Sequence, residues 1–146
     1  MVHGCRALPE LSELTAAHWT SGASGRLSVQ RCATCLRWSF PPAPCCRHCW
    51  GTDLRFEPVS GKGRLVSWTG VAEAVGLAPP APYLVVVVDL EEGARLLLNL
   101  VGSAADELRV DVPVRLRFQQ IDADVWLPLA ELEELEQPED ELEAVS

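Results

Sequence analysis

Two Cys-x-x-Cys pairs constrain this chain more than any other feature of its sequence. Cys32 and Cys35 form the first pair, Cys46 and Cys49 form the second, and ten residues separate the two pairs. Two thiolates at this spacing on a tight turn reach one tetrahedral ion at about 2.3 Å, so the pattern predicts a four-cysteine zinc site. Such a site has no open coordination position. The metal is therefore expected to be structural and not catalytic.

Other uses of these residues were weighed against the zinc site. Two redox motifs or a disulfide pair are the alternative, which is disfavoured because no thioredoxin-like βαβ pattern surrounds either pair. Cys45 competes with Cys46, but its use would lengthen the second spacing to three intervening residues. Cys5 and Cys45 are then spare. His48 lies inside the second turn, where it is expected to point outward and not to bind the metal.

The remaining composition points to a soluble, cytoplasmic protein without membrane contact. Six cysteines suit a disulfide scaffold only in a secreted chain. The first twenty residues lack the basic start and apolar stretch of a secretory signal. No apolar run approaches the roughly 20 residues that span a bilayer. The cysteines are therefore expected to be reduced and available to a metal.

The chain is long enough for one core and a metal-stapled subdomain, because it has 146 residues. The fold is predicted to be mainly β. We expect an N-terminal helical segment over residues 1–25, a zinc ribbon over 26–60 and a five-stranded barrel over 61–130. An acidic tail follows over 131–146 and is expected to be partly disordered.

The spacing of apolar residues along the chain predicts the individual helices and strands. Apolar residues at roughly helical spacing predict a helix over residues 8–19. Strands are predicted over residues 26–30, 65–75, 83–90, 94–101, 112–118 and 125–129, and five strands after the ribbon suggest a small closed barrel. A turn is predicted at Gly61, Lys62 and Gly63. The Glu-rich segment 129–135 has a helical pattern.

The segment from Tyr83 to Val88 is apolar on both faces of a strand. A barrel of this size needs only one apolar face of this strand for its own core. The second apolar face therefore suggests an outer surface that a partner protein covers. Burial under the N-terminal helix is the other explanation. Successive side chains of a strand point to opposite faces, but the sequence alone does not fix whether Val85 or Val86 faces outward.

No set of residues resembles a catalytic centre. None of the three histidines, His3, His18 and His48, has an evident Ser or Cys partner for nucleophilic catalysis. Paired carboxylates occur mainly in the Glu-rich tail, where a solvated helix face is the simpler explanation. We therefore expect the chain not to be an enzyme.

Several motifs together resemble the DUF35 family of acyl-CoA-associated zinc-ribbon and OB-fold proteins, from about Trp19 to Pro128. They are GRLSVQRCATC (25–35), FPPAPCCRHC (40–49), SGKG (60–63), PY (82–83) and VDLEEG (88–93). The resemblance implies a rubredoxin-like zinc ribbon followed by a C-terminal OB-fold. Two departures occur: Asp111 stands where a glycine is usual, and Arg47 replaces the common proline of the second cysteine turn. Neither affects a predicted ligand.

The resemblance also implies a role. Family members look like non-catalytic partners of thiolase-superfamily enzymes, including thiolases and the retro-aldolases of steroid side-chain degradation, and some are fused to acyl-CoA hydratases. By this resemblance the chain is expected to be an accessory subunit that binds a thiolase-like enzyme and helps to form its acyl-CoA channel. An acyl-CoA hydratase is a second candidate partner.

The uneven charge fits a contact with coenzyme A. Residues 26–64 carry a net charge of +5, whereas the rest of the chain carries −14. A cationic ribbon with Trp38 and Trp50 is suited to the phosphates and adenine of the cofactor. The alternatives are a solvated basic surface and tryptophans that merely cover the zinc thiolates.

A nucleic-acid-binding zinc-ribbon and OB-fold module is the competing function. Fold analogy alone supports it. The net charge of −9 and the lack of aromatic residues interleaved with Lys or Arg in the strands argue against it. We therefore expect no nucleic-acid partner.

Overall fold

Eight strands form two sheets in the part of the chain that the structure describes. This computed structural model describes residues 7–76 and 79–134. The ribbon strands are β1 (Ser28–Cys32), β2 (Trp38–Ser39) and β3 (Leu54–Pro58). The barrel strands are β4 (Lys62–Val71), β5 (Tyr83–Leu90), β6 (Arg95–Val101), β7 (Pro113–Gln120) and β8 (Trp126–Leu132). One α-helix, α1 (Ala16–Thr20), precedes the ribbon, and 3-10 turns cover Ser21–Ser24 and Ala105–Glu107.

The N-terminal helix is much shorter than the sequence pattern predicts. Only Ala16–Thr20 is helical, so the predicted helix over residues 8–19 is wrong for most of its length. The Thr15 hydroxyl donates to the Glu10 carbonyl at 2.7 Å and accepts from the Ser12 N–H at 3.1 Å. Such local side-chain bonds offer the backbone an alternative to a helix. Leu8 and Leu11 are exposed, so no buried apolar face favours a longer helix.

The ribbon is a three-stranded antiparallel sheet in the order β2-β1-β3. Strand β1 was predicted over residues 26–30, so the observed strand begins and ends two residues later than the prediction. Strand β2 has only two residues and gives no sequence pattern. Strand β3 alternates apolar and polar residues over 54–57, a signal that the sequence analysis overlooked.

The five predicted barrel strands are confirmed, and they form a closed barrel in the order β4-β5-β6-β8-β7. Strands β6 and β8 pair in parallel, and the other neighbours are antiparallel. The ribbon and the barrel share one core, because Leu27, Val29 and Val59 belong to the same buried cluster as the inward residues of the barrel. The domain boundaries given above stay a prediction.

Two local predictions in the barrel are wrong. Lys62 and Gly63 lie in β4, and only Gly61 keeps the left-handed backbone of a turn, with φ 79°. The helical pattern over 129–135 gives way to β8 as far as Leu132. Pairing with β7 fixes this segment as a strand, and Ala130 is fully buried there. The tail beyond residue 134 lies outside the described residues.

The structure of β5 shows which of Val85 and Val86 faces outward, a question that the sequence left open. Val86, Val88 and Leu90 face the core, with exposures of 0%, 0% and 3%. Val85 therefore faces outward, and it is only half-buried. Among the described residues no helix has the length and apolarity needed to cross a membrane.

Asp111 has a left-handed backbone, with φ 66°. This conformation explains why glycine is the expected residue at that position. Aspartate is one of the few side chains that enter the left-handed region routinely, because its short polar group bonds locally. Aspartate in place of glycine at this position is therefore compatible with the loop before β7.

We predict that Gly63→Ala destabilises the barrel by about 2 kcal/mol. A Cβ at Gly63 would lie 2.5 Å from the Asp89 carbonyl oxygen and 2.9 Å from Val88 Cγ1, and the carbonyl cannot move without breaking the sheet. Gly70→Ala in the same strand is the matched control, because its Cβ meets only Leu84 Cδ2 at 3.9 Å. Urea denaturation of both variants measures the difference. Equal stability of the two would contradict the close packing of β4 on β5.

Candidate metal centre in the ribbon

Two equivalent turns carry the four cysteines. In the first turn the Leu36 N–H donates to the Cys32 carbonyl at 2.9 Å, and in the second the Trp50 N–H donates to the Cys46 carbonyl at 3.0 Å. We call these turns the knuckles, residues 32–37 and 46–51. Each knuckle directs two thiols toward the same centre. The backbone therefore repeats the same local structure twice around a common centre.

The four thiols converge on one point. The sulfur atoms of Cys32, Cys35, Cys46 and Cys49 all lie within 4.8 Å of one another, and the Cys32–Cys49 and Cys35–Cys46 sulfur pairs are 3.6 Å apart. A disulfide needs about 2.05 Å, and these cysteines are free. Ligands at 2.3 Å around a tetrahedral zinc are about 3.8 Å apart. The cluster therefore has the size of a four-thiolate zinc site.

Backbone N–H groups point at three of the sulfurs. The N–H groups of Cys35, His48 and Gly51 donate to the sulfurs of Cys32, Cys46 and Cys49 at 3.5, 3.4 and 3.4 Å. These donors partly neutralise thiolate charge. Gly51 is also required by space, because a Cβ there would lie 3.2 Å from the Cys49 sulfur. Sequence reasoning missed this residue, whose only signal is that it follows the second pair.

The acidities of the thiols are unequal. The N–H of Cys35 lowers the pKa of Cys32 to about 6 against the opposing effect of burial. The N–H of Cys49 is the main cause that lowers the pKa of Cys46. The Gly51 N–H lowers the pKa of Cys49, but burial and the neighbouring thiols together outweigh it and raise that pKa to about 11. The N–H donors thus favour the thiolate form of Cys32 and Cys46, whereas burial and the neighbouring thiols oppose it at Cys49.

The competing candidates lie outside the cluster. The four-thiol group that forms among the described residues contains Cys46 and not Cys45. His48 does not belong to this group, and its Nδ1 accepts a hydrogen bond from Arg37 at 3.2 Å. Cys5 lies outside the described residues.

The two ribbon tryptophans have different environments. Trp38 is half-buried, its ring lies 5.0 Å from the Arg31 guanidinium, and its Cδ1 approaches the β5–β6 turn at Gly93. It therefore joins ribbon and barrel and is not free to stack on a ligand. Trp50 is 77% exposed.

A second feature, which sequence reasoning did not locate, is a groove of ≈ 280 Å³ on the outer face of the barrel. Val85, Leu97 and Asn99 form its floor on β5 and β6, and Trp19 and Phe40 line it from the helix and the ribbon. Buried His18 supports this wall through a 3.2 Å bond between its Nδ1 and the Ser28 carbonyl, and burial lowers its pKa. The groove is mostly apolar, and Leu97 is 59% exposed.

These features define a class: a zinc-ribbon domain with four clustered cysteines, joined to an OB-fold barrel. Comparison with known families agrees with that class. Residues 19–55 match the ChsH2 rubredoxin-like zinc ribbon domain, and residues 56–119 match the ChsH2 C-terminal OB-fold domain.

Three similar proteins extend the comparison. The probable enoyl-CoA hydratase alpha subunit of Thermomonospora curvata is 35% identical over 85% of this chain, which spans 39% of that relative's length. The benzoylsuccinyl-CoA thiolase subunit BbsA of Thauera aromatica is 32% identical over 74% of this chain and 71% of its own length. A solved structure, the Ltp2-ChsH2(DUF35) aldolase, has a chain that is 34% identical, with a TM-score of 0.74 over 86% of this chain and 98% of that one. The chain belongs to the DUF35 family.

We predict that Cys46→Ser abolishes stable zinc binding, whereas Cys45→Ser leaves about one zinc per chain. Loss of one thiolate from a closed tetrahedral set removes a ligand that no neighbouring residue replaces. Elemental analysis after dialysis against a weak chelator measures the metal content. Equal zinc in the two variants, or loss from Cys45→Ser alone, would contradict the ligand geometry.

Proposed function

We propose that this chain is a non-catalytic accessory subunit of a thiolase-superfamily enzyme that acts on acyl-CoA thioesters. The observation that carries the proposal is the likeness over 98% of the matched chain in the Ltp2-ChsH2(DUF35) aldolase. The thiolase subunit BbsA points to the same class of assembly. The partner is a thiolase or a retro-aldolase, and a steroid side-chain thioester is one candidate substrate. The chain helps to form the acyl-CoA channel.

The histidines of the described residues support a non-catalytic role. His18 bonds the Ser28 carbonyl, and His48 accepts from Arg37. Neither imidazole ring is hydrogen-bonded to a Ser or Cys side chain that it would activate. Catalysis is thus left to the partner.

An acyl-CoA hydratase is the second candidate partner. The similarity to a hydratase alpha subunit supports it, although this chain spans only 39% of that subunit's length. We place the assembly in the cytoplasm, where thiols stay reduced.

We assign Cys32, Cys35, Cys46 and Cys49 as the ligands of one structural zinc ion. Sulfur pairs at 3.6 Å support the assignment, as do the backbone N–H groups that donate to three of the sulfurs. Four thiolates complete the tetrahedron, so no position is left for water or substrate. The zinc orders the knuckles and takes no part in a reaction.

The apolar groove on the outer face of the barrel is the surface that we assign to the enzyme. Val85 and Leu97 line the groove, and Val87, which pairs with Leu97 across β5 and β6, also faces outward. Apolar residues on the solvent face of a sheet are typical of an interface core. Phe40 extends the surface onto the ribbon. Leu97 on this face is 59% exposed, so burial under helix α1 does not account for the apolar surface.

The charges of the barrel argue against the nucleic-acid alternative. Arg95 pairs with Asp89 at 2.6 Å, and Arg115 and Arg117 both pair with Glu131. These guanidinium groups already have carboxylate partners. They do not form the open cationic groove that binds a phosphate backbone.

We predict that Leu97→Asp weakens the complex with the enzyme about tenfold or more, because it places a charge in an apolar contact. Val110→Asp is the matched control, since Val110 is similarly exposed, at 62% against 59%, but does not line the groove. Co-expression with the neighbouring thiolase-like protein and size-exclusion chromatography with light scattering measure association. A folded wild-type chain that elutes alone with every such candidate would contradict the accessory role. Equal binding of the two variants would reject only this surface.

We infer that the cationic ribbon also contacts the phosphates of enzyme-bound coenzyme A. Arg47 is exposed, its nearest polar contact is the Pro41 carbonyl at 3.5 Å, and none of the ion pairs of the described residues includes it. Its guanidinium is thus available to an anion. Arg55, in contrast, is paired with Asp53.

Arg47→Ala in the complex is predicted to raise KM for acyl-CoA about two- to fivefold, the size expected of an exposed ion pair. Arg55→Ala is predicted to have no such effect. The same acyl group on pantetheine, which lacks the phosphates, should show no difference between wild type and Arg47→Ala. Steady-state kinetics with both thioesters provide the test. An equal effect on the two thioesters would show that Arg47 does not bind phosphate.

A further inference from the structure

The residue after each cysteine pair has a left-handed backbone although neither residue is glycine. Leu36 has φ 66° and Trp50 has φ 64°. Both donate the N–H that closes their knuckle, so the conformation is part of the turn and cannot be avoided. The left-handed region brings Cβ close to the following carbonyl oxygen, a strain that glycine would not have. The two large side chains therefore destabilise the turns in which they lie, relative to glycine.

Neither side chain offsets this strain by packing within the described part of the chain. Leu36 is 59% exposed, and Trp50 is 77% exposed. Asp111, the other left-handed residue among those described that is not glycine, differs in kind, because its side chain suits this conformation. Two large apolar side chains are thus held in solvent at equivalent strained positions. Strain kept by an exposed residue indicates a function outside the fold.

The neighbourhood of Leu36 and Trp50 defines the surface that they fit. Arg37, the next residue in the first knuckle, has no ion pair among the described residues, and its recorded side-chain partner is the His48 ring. Trp and Arg are the residue types that most often dominate a protein interface. Two exposed apolar side chains, one of them followed in the chain by a guanidinium without a carboxylate partner, are complementary to an apolar pocket edged by a carboxylate.

We propose that Leu36 and Trp50 are a second anchor for the partner enzyme, inserting into an apolar pocket whose rim carries a carboxylate opposite Arg37. This inference rests on the proposed accessory role and adds a contact at the knuckles to the groove on the barrel. The metal then has a direct consequence for binding. By fixing both knuckles, it presents the two side chains together, which lowers the entropy cost of association.

Glycine substitutions provide a test in which stability and binding change in opposite directions. Leu36→Gly and Trp50→Gly relieve the backbone strain, so the isolated chain should keep its zinc and unfold at the same or a higher temperature. The same variants should bind the co-purified thiolase-superfamily enzyme more weakly, by about tenfold for Trp50→Gly. Trp50→Ala should lose the affinity without the gain in stability. Asp111→Gly is the control and should bind as wild type does.

The affinities are measured by biolayer interferometry on the zinc-loaded chain, and stability is measured by thermal unfolding. Wild-type affinity of the Leu36→Gly/Trp50→Gly double variant would overturn the anchor while leaving the accessory role intact. Loss of zinc or a lower unfolding temperature in Trp50→Gly would overturn it too, because the side chain would then serve the ribbon itself. Unchanged enzyme binding with loss of binding to single-stranded RNA or lipid vesicles would assign the surface to another partner. Absence of any wild-type complex would instead reject the accessory role on which the anchor rests.

Discussion

The convergence of four thiols is the constraint on which the ribbon depends. Strands β1 and β3 are anchored at one end by Leu27, Val29 and Val59 in the barrel core. At the other end the buried side chains are Cys32 and Cys46, with no aliphatic cluster around them among the described residues. A segment with so little apolar burial does not hold its shape unaided. We expect the zinc proposed for the four sulfurs to supply the missing stabilisation.

The proposed function follows from how this arrangement presents the surface. The barrel is a rigid support whose outer face carries an apolar groove, and Trp38 packs at the β5–β6 turn and joins the ribbon to that support. The knuckles hold Leu36 and Trp50 in equivalent turns, and both side chains are exposed. Neither surface contains a nucleophile with a base. Both are suited to binding a protein that carries the chemistry itself.

The sequence predicted those parts of the structure for which the spacing of one residue type is a direct signal. Paired cysteines predicted the cluster of four thiols, and alternating or continuous apolar residues predicted the five barrel strands and β1. Prediction failed where tertiary pairing decides. Residues 129–132 have a helical composition, yet pairing with β7 makes them a strand, and side-chain bonds around Thr15 replace most of the expected helix. The outward orientation of Val85 and the left-handed backbones of Leu36 and Trp50 needed coordinates, because neither follows from composition or spacing.

Amide hydrogen exchange of the zinc-loaded and the metal-free chain tests the central claim most directly. If the metal holds the knuckles, its removal should abolish protection at the amides of Leu36, Cys46 and Trp50, which are hydrogen-bonded to knuckle carbonyls. The barrel strands β4 to β8 should keep their protection, because their core does not include the thiols. Knuckle amides that stay protected without metal would contradict the account, since the polypeptide alone would then hold the ribbon.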